Sequence, residues 1–296
     1  MKMAKLVHSI KNYRCTSNAK INHRLALYFN WLIAQPWSYL MKLISLFLTT
    51  LISITALAKQ CETIRVGCAN AWYPIAYILP ADKEKAGGIA VETIRRAAQS
   101  LGISASFNCH IPWTRAMKYM DTGEIDMIAG HYLTEYRQKN WAVTTPLLAD
   151  DIRAIYTDKN LDILTLEQLT SLTGVIPRGA SYGREIDTFL KEGIARKKVA
   201  QVDKNMAVFR MLQRNRVDYG IISIKDAKEH IKQLGLKDSI YLSSSLGLNT
   251  IHVSFSKKSH CAVHLEKFNQ LIKTYHQNGL IERFLKQAEQ SYIVNE

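Results

Sequence analysis

The sequence predicts an α/β protein built on parallel sheets covered by helices, large enough for two domains. Three observations predict it. From residue 62 onward, short β-rich runs alternate with amphipathic helical runs. The 296 residues exceed one ordinary domain. A composition of 47% hydrophobic and 22% charged residues can bury cores and is not that of a disordered chain.

The elements follow in order. Residues 63–68 read as a first strand. Ile89, Val91, Ile94, Ala97, Ala98 and Leu101 recur at helical spacing, and Gly102 supplies the stop. Residues 103–109 form a second strand, 114–120 a helix and 125–129 a third strand. A second series begins after Asp150 with an extended run at 152–156 and a short helix at 166–169. Residues 174–177 lead into a helix starting near Ser181. Strands at 199–202, 217–222 and 240–242 then alternate with helices at 205–212 and 225–234. Apolar positions between 264 and 287, interrupted by Gly279, make two consecutive amphipathic helices.

The formal charge of +14 suggests a nucleic-acid partner, but its distribution argues against one. Residues 1–58 hold seven basic and no acidic residues, which leaves 32 basic against 25 acidic, about +7, dispersed over the rest. Met41-Lys42 precedes an uncharged apolar run at 43–57 that closes on Ala56-Leu57-Ala58. A basic start, a short apolar core and small residues at −3 and −1 make a secretory signal at 41–58, cleaved after Ala58. The run is shorter than the roughly 20 residues a spanning helix needs. Residues 1–40 are then expected to be an upstream over-extension of a chain that starts at Met41, the alternative being a membrane-embedded N-terminus. A periplasmic location is the expectation.

Export changes how the cysteines read. Cys61, Cys68, Cys109 and Cys261 are an even set for an oxidising compartment, with no C-x-x-C pair to suggest zinc or redox chemistry. Four cysteines allow three pairings, and four buried thiols remain the alternative. If Cys68 and Cys109 end neighbouring strands they can be bridged, leaving Cys61 with Cys261.

The block at 111–126, Ile-Pro-Trp-Thr-Arg-Ala-Met-Lys-Tyr-Met-Asp-Thr-Gly-Glu-Ile-Asp, is followed by Thr134-Glu135-Tyr136-Arg137 and by Thr145-Pro146. In order and spacing these pieces resemble the family-3 periplasmic solute-binding proteins, over nearly all of residues 62–290. The resemblance implies the type II periplasmic-binding fold, with a first lobe of 60–151 plus 250–296 and a second of 152–249. Two crossing strands near 152–156 and 250–255 would be the hinge, and ligand would close the cleft.

Ligands of open parallel sheets sit beyond the carboxyl ends of strands, which selects the residues just after each strand. The resemblance places Trp72 and Trp113 as facing aromatics, able to sandwich a planar or cationic group. It places Arg137 as the carboxylate fork. His131 and Tyr132 end the third strand beside it, and Arg115 starts the helix after Trp113. In the second lobe, Arg178-Gly179-Ala180-Ser181 resembles the family's Gly-Ser-Thr turn, where Ser181 and free backbone N–H groups make an anion site or a plain helix cap.

One departure bears on the ligand. The turn Arg214-Asn215-Arg216-Val217-Asp218 is kept, but the position at which amino-acid binders hold the α-ammonium with an Asp is Ser223, and the nearest acid is Asp226. A carboxylate-bearing or neutral solute held by Arg137 and Arg178 is therefore expected ahead of an ordinary amino acid. No catalytic residue, metal or cofactor is expected, and the mature chain is expected to be monomeric. The partners are a small molecule and an ABC permease or a membrane sensor. A sensor subunit and a dehydratase-like enzyme on the same fold are the competing functions.

Overall fold

The strand β1 (Thr63–Cys68) buries Ile64, Val66 and Cys68 and pairs in parallel with both β5 (Ser104–Asn108) and β6 (Met127–Tyr132). The computed structural model describes residues 61–292. Between β1 and β5 lies an antiparallel ribbon of β2 (Ala71–Trp72), β3 (Ala76–Leu79) and β4 (Asp82–Gly87), which the sequence pattern did not announce. Helix α1 (Ile89–Ser100) follows and buries Ile89, Val91, Ile94, Ala97 and Ala98, the stripe its spacing predicts. Gly102 adopts φ +69° just beyond it, the left-handed exit that favours glycine. Helix α2 (Trp113–Thr122) ends on Gly123 in the same conformation. The short α3 (Glu135–Asn140) and β7 (Trp141–Val143) complete this half.

The second half is assembled on β9 (Gly174–Pro177), β10 (Val199–Val202) and β11 (Tyr219–Ser223), with β9 parallel to both others. Helices α4 (Arg184–Ala195), α5 (Asn205–Gln213) and α6 (Ile224–Gln233) intervene and follow. The pair α7 (Leu265–Gln277) and α8 (Leu280–Ser291), separated at Gly279, packs onto the first half through Phe268, Ile272, Ile281 and Phe284. A second cluster around Val208, Phe209, Leu212 and Ala227 forms under α5 and α6.

Two long strands, β8 (Leu148–Tyr156) and β13 (Gly247–Ser256), run between the halves and pair with each other antiparallel from Gly247↔Ile152 to Ile251↔Leu148. They join the other strands, the ribbon β2 to β4 apart, into one sheet in the order β10-β9-β11-β8-β13-β6-β1-β5, with β12 (Tyr241–Leu242) beside β8 and β7 beside β13. The fold is therefore the two-lobed type II periplasmic-binding architecture, whose crossing strands are antiparallel to the parallel strands they join. Both strands are longer than the runs at 152–156 and 250–255 suggest. Asp150 and Asp151 lie inside β8 although acids disfavour strands, and the reason is local. The Asp150 carboxylate accepts the hydroxyls of Tyr132 at 2.8 Å and Ser223 at 2.6 Å.

The four cysteines among the described residues are paired, Cys61 with Cys261 and Cys68 with Cys109, at Cα separations of 5.0 and 4.5 Å. The second bridge ties the end of β1 to the residue after its neighbour β5, as two adjacent parallel strands allow. The proposed signal at 41–58 and residues 1–40 lie outside the described residues. Among those described, no helix is long and apolar enough to cross a membrane.

Candidate functional site

A cavity of about 480 Å³ opens at the carboxyl ends of the strands, between the two lobes. The first lobe contributes Trp72 after β1, Trp113 at the start of α2, and His131, Tyr132 and Arg137 around the end of β6. The second lobe contributes Arg178, Ser181 and Tyr182 after β9, Asn205 after β10, Ser223 at the end of β11 and Asp226 just beyond it. Eight of the nine residues singled out from the sequence line this cavity. Arg115 is the exception, exposed on α2 and outside the lining.

Several bonds cross the cleft. Trp113 Nε1 donates to the Gly179 carbonyl at 3.2 Å, and Asn205 Nδ2 donates to the Ala71 carbonyl at 3.1 Å. Asn249 Nδ2 on β13 reaches the carbonyls of both Leu133 and Tyr182, at 3.2 and 3.0 Å. Glu135 pairs with Arg184. The walls of the cavity are thus in contact.

Arg137 is the most exceptional group. It is buried, 3% exposed, yet no carboxylate among the described residues lies within ion-pair distance of it. Its Nη1 donates to the Tyr132 carbonyl at 2.9 Å, and the guanidinium lies 5.7 Å from the Trp141 ring. Burial lowers its pKa to about 10, only partly opposed by the charge of Asp187. Its Nη2 donates to Met117 Sδ at 3.8 Å, so this buried cation has a carbonyl and a thioether for partners and no anion, which suits it to receive one.

Next to it, His131 is fully buried. Its Nδ1 donates to the Tyr132 carbonyl at 2.9 Å and its Nε2 accepts from Ser254 Oγ at 2.7 Å. Burial, with Arg137 and His252 nearby, drives its pKa well below the usual histidine value. His131 is therefore a neutral packing group beside the cation and not a titrating one.

The remaining polar groups from the sequence reading are already engaged. Tyr132 and Ser223, one from each lobe, share Asp150. Arg178 pairs with Asp203 at 3.0 Å on the rim. At the turn after β9 the helix starts at Arg184, not near Ser181. Asp187 reaches back to accept from Ser181 Oγ at 2.6 Å and from the Tyr182 amide at 2.7 Å. The anion site expected there is filled by the chain's own carboxylate, and Ser181 does not cap the helix, whose N-cap is Gly183 with no side-chain cap bond. The aromatics also differ from a simple sandwich: Trp72 packs on Tyr132, with ring centroids 5.1 Å apart, and Tyr132 in turn on Tyr182 at 5.9 Å.

Asp226, which the sequence offered as the nearest acid to Ser223 but which was given no role there, is the second exceptional group. It sits in the first turn of α6, 1% exposed, and lines the cavity. Its Oδ2 accepts from Asn205 Nδ2 at 2.5 Å, while Oδ1 has no hydrogen bond. His230 Nδ1 lies 3.1 Å from that oxygen but donates to the Asp226 carbonyl at 2.9 Å. The acid nearest to Ser223 in sequence, one helical turn away, thus lines the cavity. The first-turn positions of α5 and α6 obey the same strand-end rule that found Trp72 and Trp113, and could have been read from it.

The family model of the bacterial extracellular solute-binding proteins, family 3, matches residues 64–288. The chain belongs to that family. It is similar to a histidine kinase sensor domain that resembles periplasmic binding proteins, at TM-score 0.67 and 18% identity over 76% of this chain and 95% of the other. It is also similar to an ancestral arginine-binding protein bound to arginine, at TM-score 0.65 and 20% identity over 76% and 97%. An amino-acid ABC transporter substrate-binding protein from Streptococcus pneumoniae bound to L-arginine matches at TM-score 0.65 and 16% identity over 79% and 97%. At such identities these likenesses speak for the fold. No curated protein matches the sequence. The family and its structural neighbours are binding proteins rather than enzymes.

Proposed function

We propose that this family-3 protein captures a small zwitterionic solute, with Arg137 receiving the carboxylate and Asp226 a cationic nitrogen. The observation that carries this reading is that two buried, oppositely charged groups from different lobes line one cavity, Asp226 with an oxygen that accepts no hydrogen bond and Arg137 with no carboxylate partner. A solute spanning both would add bonds from each lobe and so favour the closed cleft. Trp72 and Trp113 would cover its apolar or planar part. Arginine, bound in two of the similar structures, carries both charges. The amino acid set aside on the strength of Ser223 thereby returns to first place.

The lobes of this reading are 60–151 with 250–296, and 152–249, moving about β8 and β13. Release of the mature chain into the periplasm after cleavage at Ala58, for delivery to an ABC permease, completes it. Two paired cysteine bridges suit that oxidising compartment. The likeness to a kinase sensor domain supports a second reading, in which the closed form is handed to a membrane receptor.

The test is a thermal-shift panel of L-amino acids, dicarboxylates and polyamines, followed by calorimetric titration. A solute at a hundred times its Kd stabilises by about 2.7 kcal/mol, or roughly 5–10 °C in a domain of this size. Shifts with zwitterions and none with dicarboxylates or polyamines are expected. Dicarboxylates that bind while every amino acid fails would overturn the role of Asp226.

A further inference from the structure

His230 lies behind Asp226, one helical turn along α6, and is 2% exposed. Its ring stacks flat on Phe209 of α5, with centroids 4.9 Å apart and planes within 5°. Nδ1 faces Asp226, donating to its carbonyl and lying 3.1 Å from the unbonded Oδ1. Nε2 faces Tyr292, just past the end of α8, whose hydroxyl is 3.4 Å away. Tyr292 is backed in turn by Tyr73 and Tyr77. On α6 itself Glu229 is the other charge near the ring, bonded by Gln233 Nε2 at 2.6 Å and paired with Lys232 at 3.6 Å. The elements packed against the imidazole therefore offer it two carboxylates, three phenols and a phenyl face, with the Lys232 ammonium held on Glu229.

We propose that His230 is the counter-ion of Asp226 in the empty cleft, and that a cationic nitrogen arriving at Asp226 displaces its proton, so that solute capture is coupled to proton release. Nothing in the family match or the similar structures assigns this role, which rests on the reading of Asp226 given above. The proton bookkeeping follows from the geometry. Nδ1 keeps its hydrogen on the Asp226 carbonyl in either state, so the proton leaves from Nε2 to solvent. The neutral Nε2 then accepts from the Tyr292 hydroxyl. Burial pushes the His230 pKa down, but Asp226 and then Glu229 outweigh it, and the balance lies above the usual histidine value. A ligand cation beside Asp226 cancels the largest of those attractions. His230 is a positioning residue here, acting on the solute through Asp226.

The sign is fixed by linkage. Binding that expels a proton strengthens as pH rises, by up to about tenfold per pH unit between the liganded and ligand-free His230 midpoints. Above the ligand-free midpoint it levels off.

Two measurements test the coupling on the folded mature chain. In the ligand-free protein, the imidazole nitrogens are titrated by long-range 15N NMR. The His230 midpoint should lie above about 6.5 and fall by about one unit or more in D226N, but less in E229Q. An unchanged midpoint in folded D226N overturns the counter-ion assignment. L-arginine is then titrated calorimetrically at pH 6.5 in buffers of different ionisation enthalpy, and across pH 5.5–8. Wild type should release a proton and bind more tightly as pH rises, whereas H230Q should show neither effect while retaining affinity at pH 8. Binding with an unmoved His230 midpoint and no proton release overturns the linkage alone. Failure of L-arginine and of every other cationic zwitterion to bind wild type overturns the reading of Asp226 and the linkage with it.

Discussion

Replacing Arg137 by methionine should separate binding from stability. The opposing contributions can be worked from its surroundings. Lowering the guanidinium pKa from 12.5 to about 10 corresponds to roughly 3 kcal/mol against keeping the charge buried. The bond to the Tyr132 carbonyl contributes about 1.5–3 kcal/mol in return, as hydrogen bonds to charged groups do. The Trp141 face contributes about 0.5–2 kcal/mol. The two sides balance within about 2 kcal/mol.

Methionine fills similar volume, and the Tyr132 carbonyl keeps its bond from His131 Nδ1, so no polar group is orphaned. In the solute complex the situation is asymmetric. A carboxylate buried opposite a methyl group loses its partner, which costs about 2–5 kcal/mol, or about 30- to 5000-fold in Kd. The assay is differential scanning calorimetry of stripped protein beside isothermal titration with the best solute from the panel. The expected result is an unliganded Tm within a few degrees of wild type and affinity down at least about thirtyfold. An unliganded protein destabilised by more than about 4 kcal/mol, with affinity kept within about threefold, would show that Arg137 is held for packing.

Three further outcomes are expected. Gly179 has φ +72°, and a Cβ there would sit 2.8 Å from Thr114 Cγ2 across the cleft, so G179A should hold the lobes apart. It should weaken binding by about tenfold, as about 1–2 kcal/mol of steric overlap confined to the closed form implies, and raise the radius of gyration of the solute complex in small-angle scattering. In the chain-entropy account, removing the 200-residue Cys61–Cys261 closure as a double alanine variant should lower stability by about 5 kcal/mol, and removing the 41-residue Cys68–Cys109 closure by about 4 kcal/mol, both read by urea unfolding. Because the folded His131 pKa lies below its unfolded value, the unfolded chain takes up the proton first and stability falls as pH drops below about 6.5. The fall, seen in urea unfolding from pH 7.5 to 5, should be shallower in H131Q by up to about 1.4 kcal/mol per pH unit.

Much of the fold was legible because its signals are local. Strand β1, helix α1 and the final helix pair carry their periodicity within a dozen residues, and Gly102 and Gly279 mark their ends. The adjacency of β1 and β5 made the Cys68–Cys109 bridge an open option before any coordinates. The ribbon β2 to β4 was not legible. Asp82, Lys83, Glu84 and Lys85 in β4 read as a solvated loop, and only Ala86 and Gly87 of that strand are buried. The start of α4 was misplaced because Ser181 makes a plausible cap locally, whereas Asp187, six residues on, organises the turn. Asp226 was discounted because motif alignment assigns one position per role, while a helix brings residues a turn apart to neighbouring points in space.

The contrast between residue type and residue state explains which site residues matter. Tyr132, His131, Arg178, Ser181 and Ser223 are all of kinds that bind solutes, and all line the cleft. Each already has its hydrogen bonds from the chain, so a ligand engaging it exchanges one partner for another and gains little. Arg137 and Asp226 are different: Asp226 Oδ1 accepts no hydrogen bond, and Arg137 is a buried cation with no paired carboxylate. A ligand shifts the balance between open and closed forms only by what it binds more strongly in one of them. Those deficits lie on opposite lobes, so only a molecule long enough to reach both, with charges of the matching order, draws the full difference. On the proposed reading, closure about β8 and β13 would be a readout of the solute's charge pattern, and the satisfied residues would keep Arg137 and Asp226 in place.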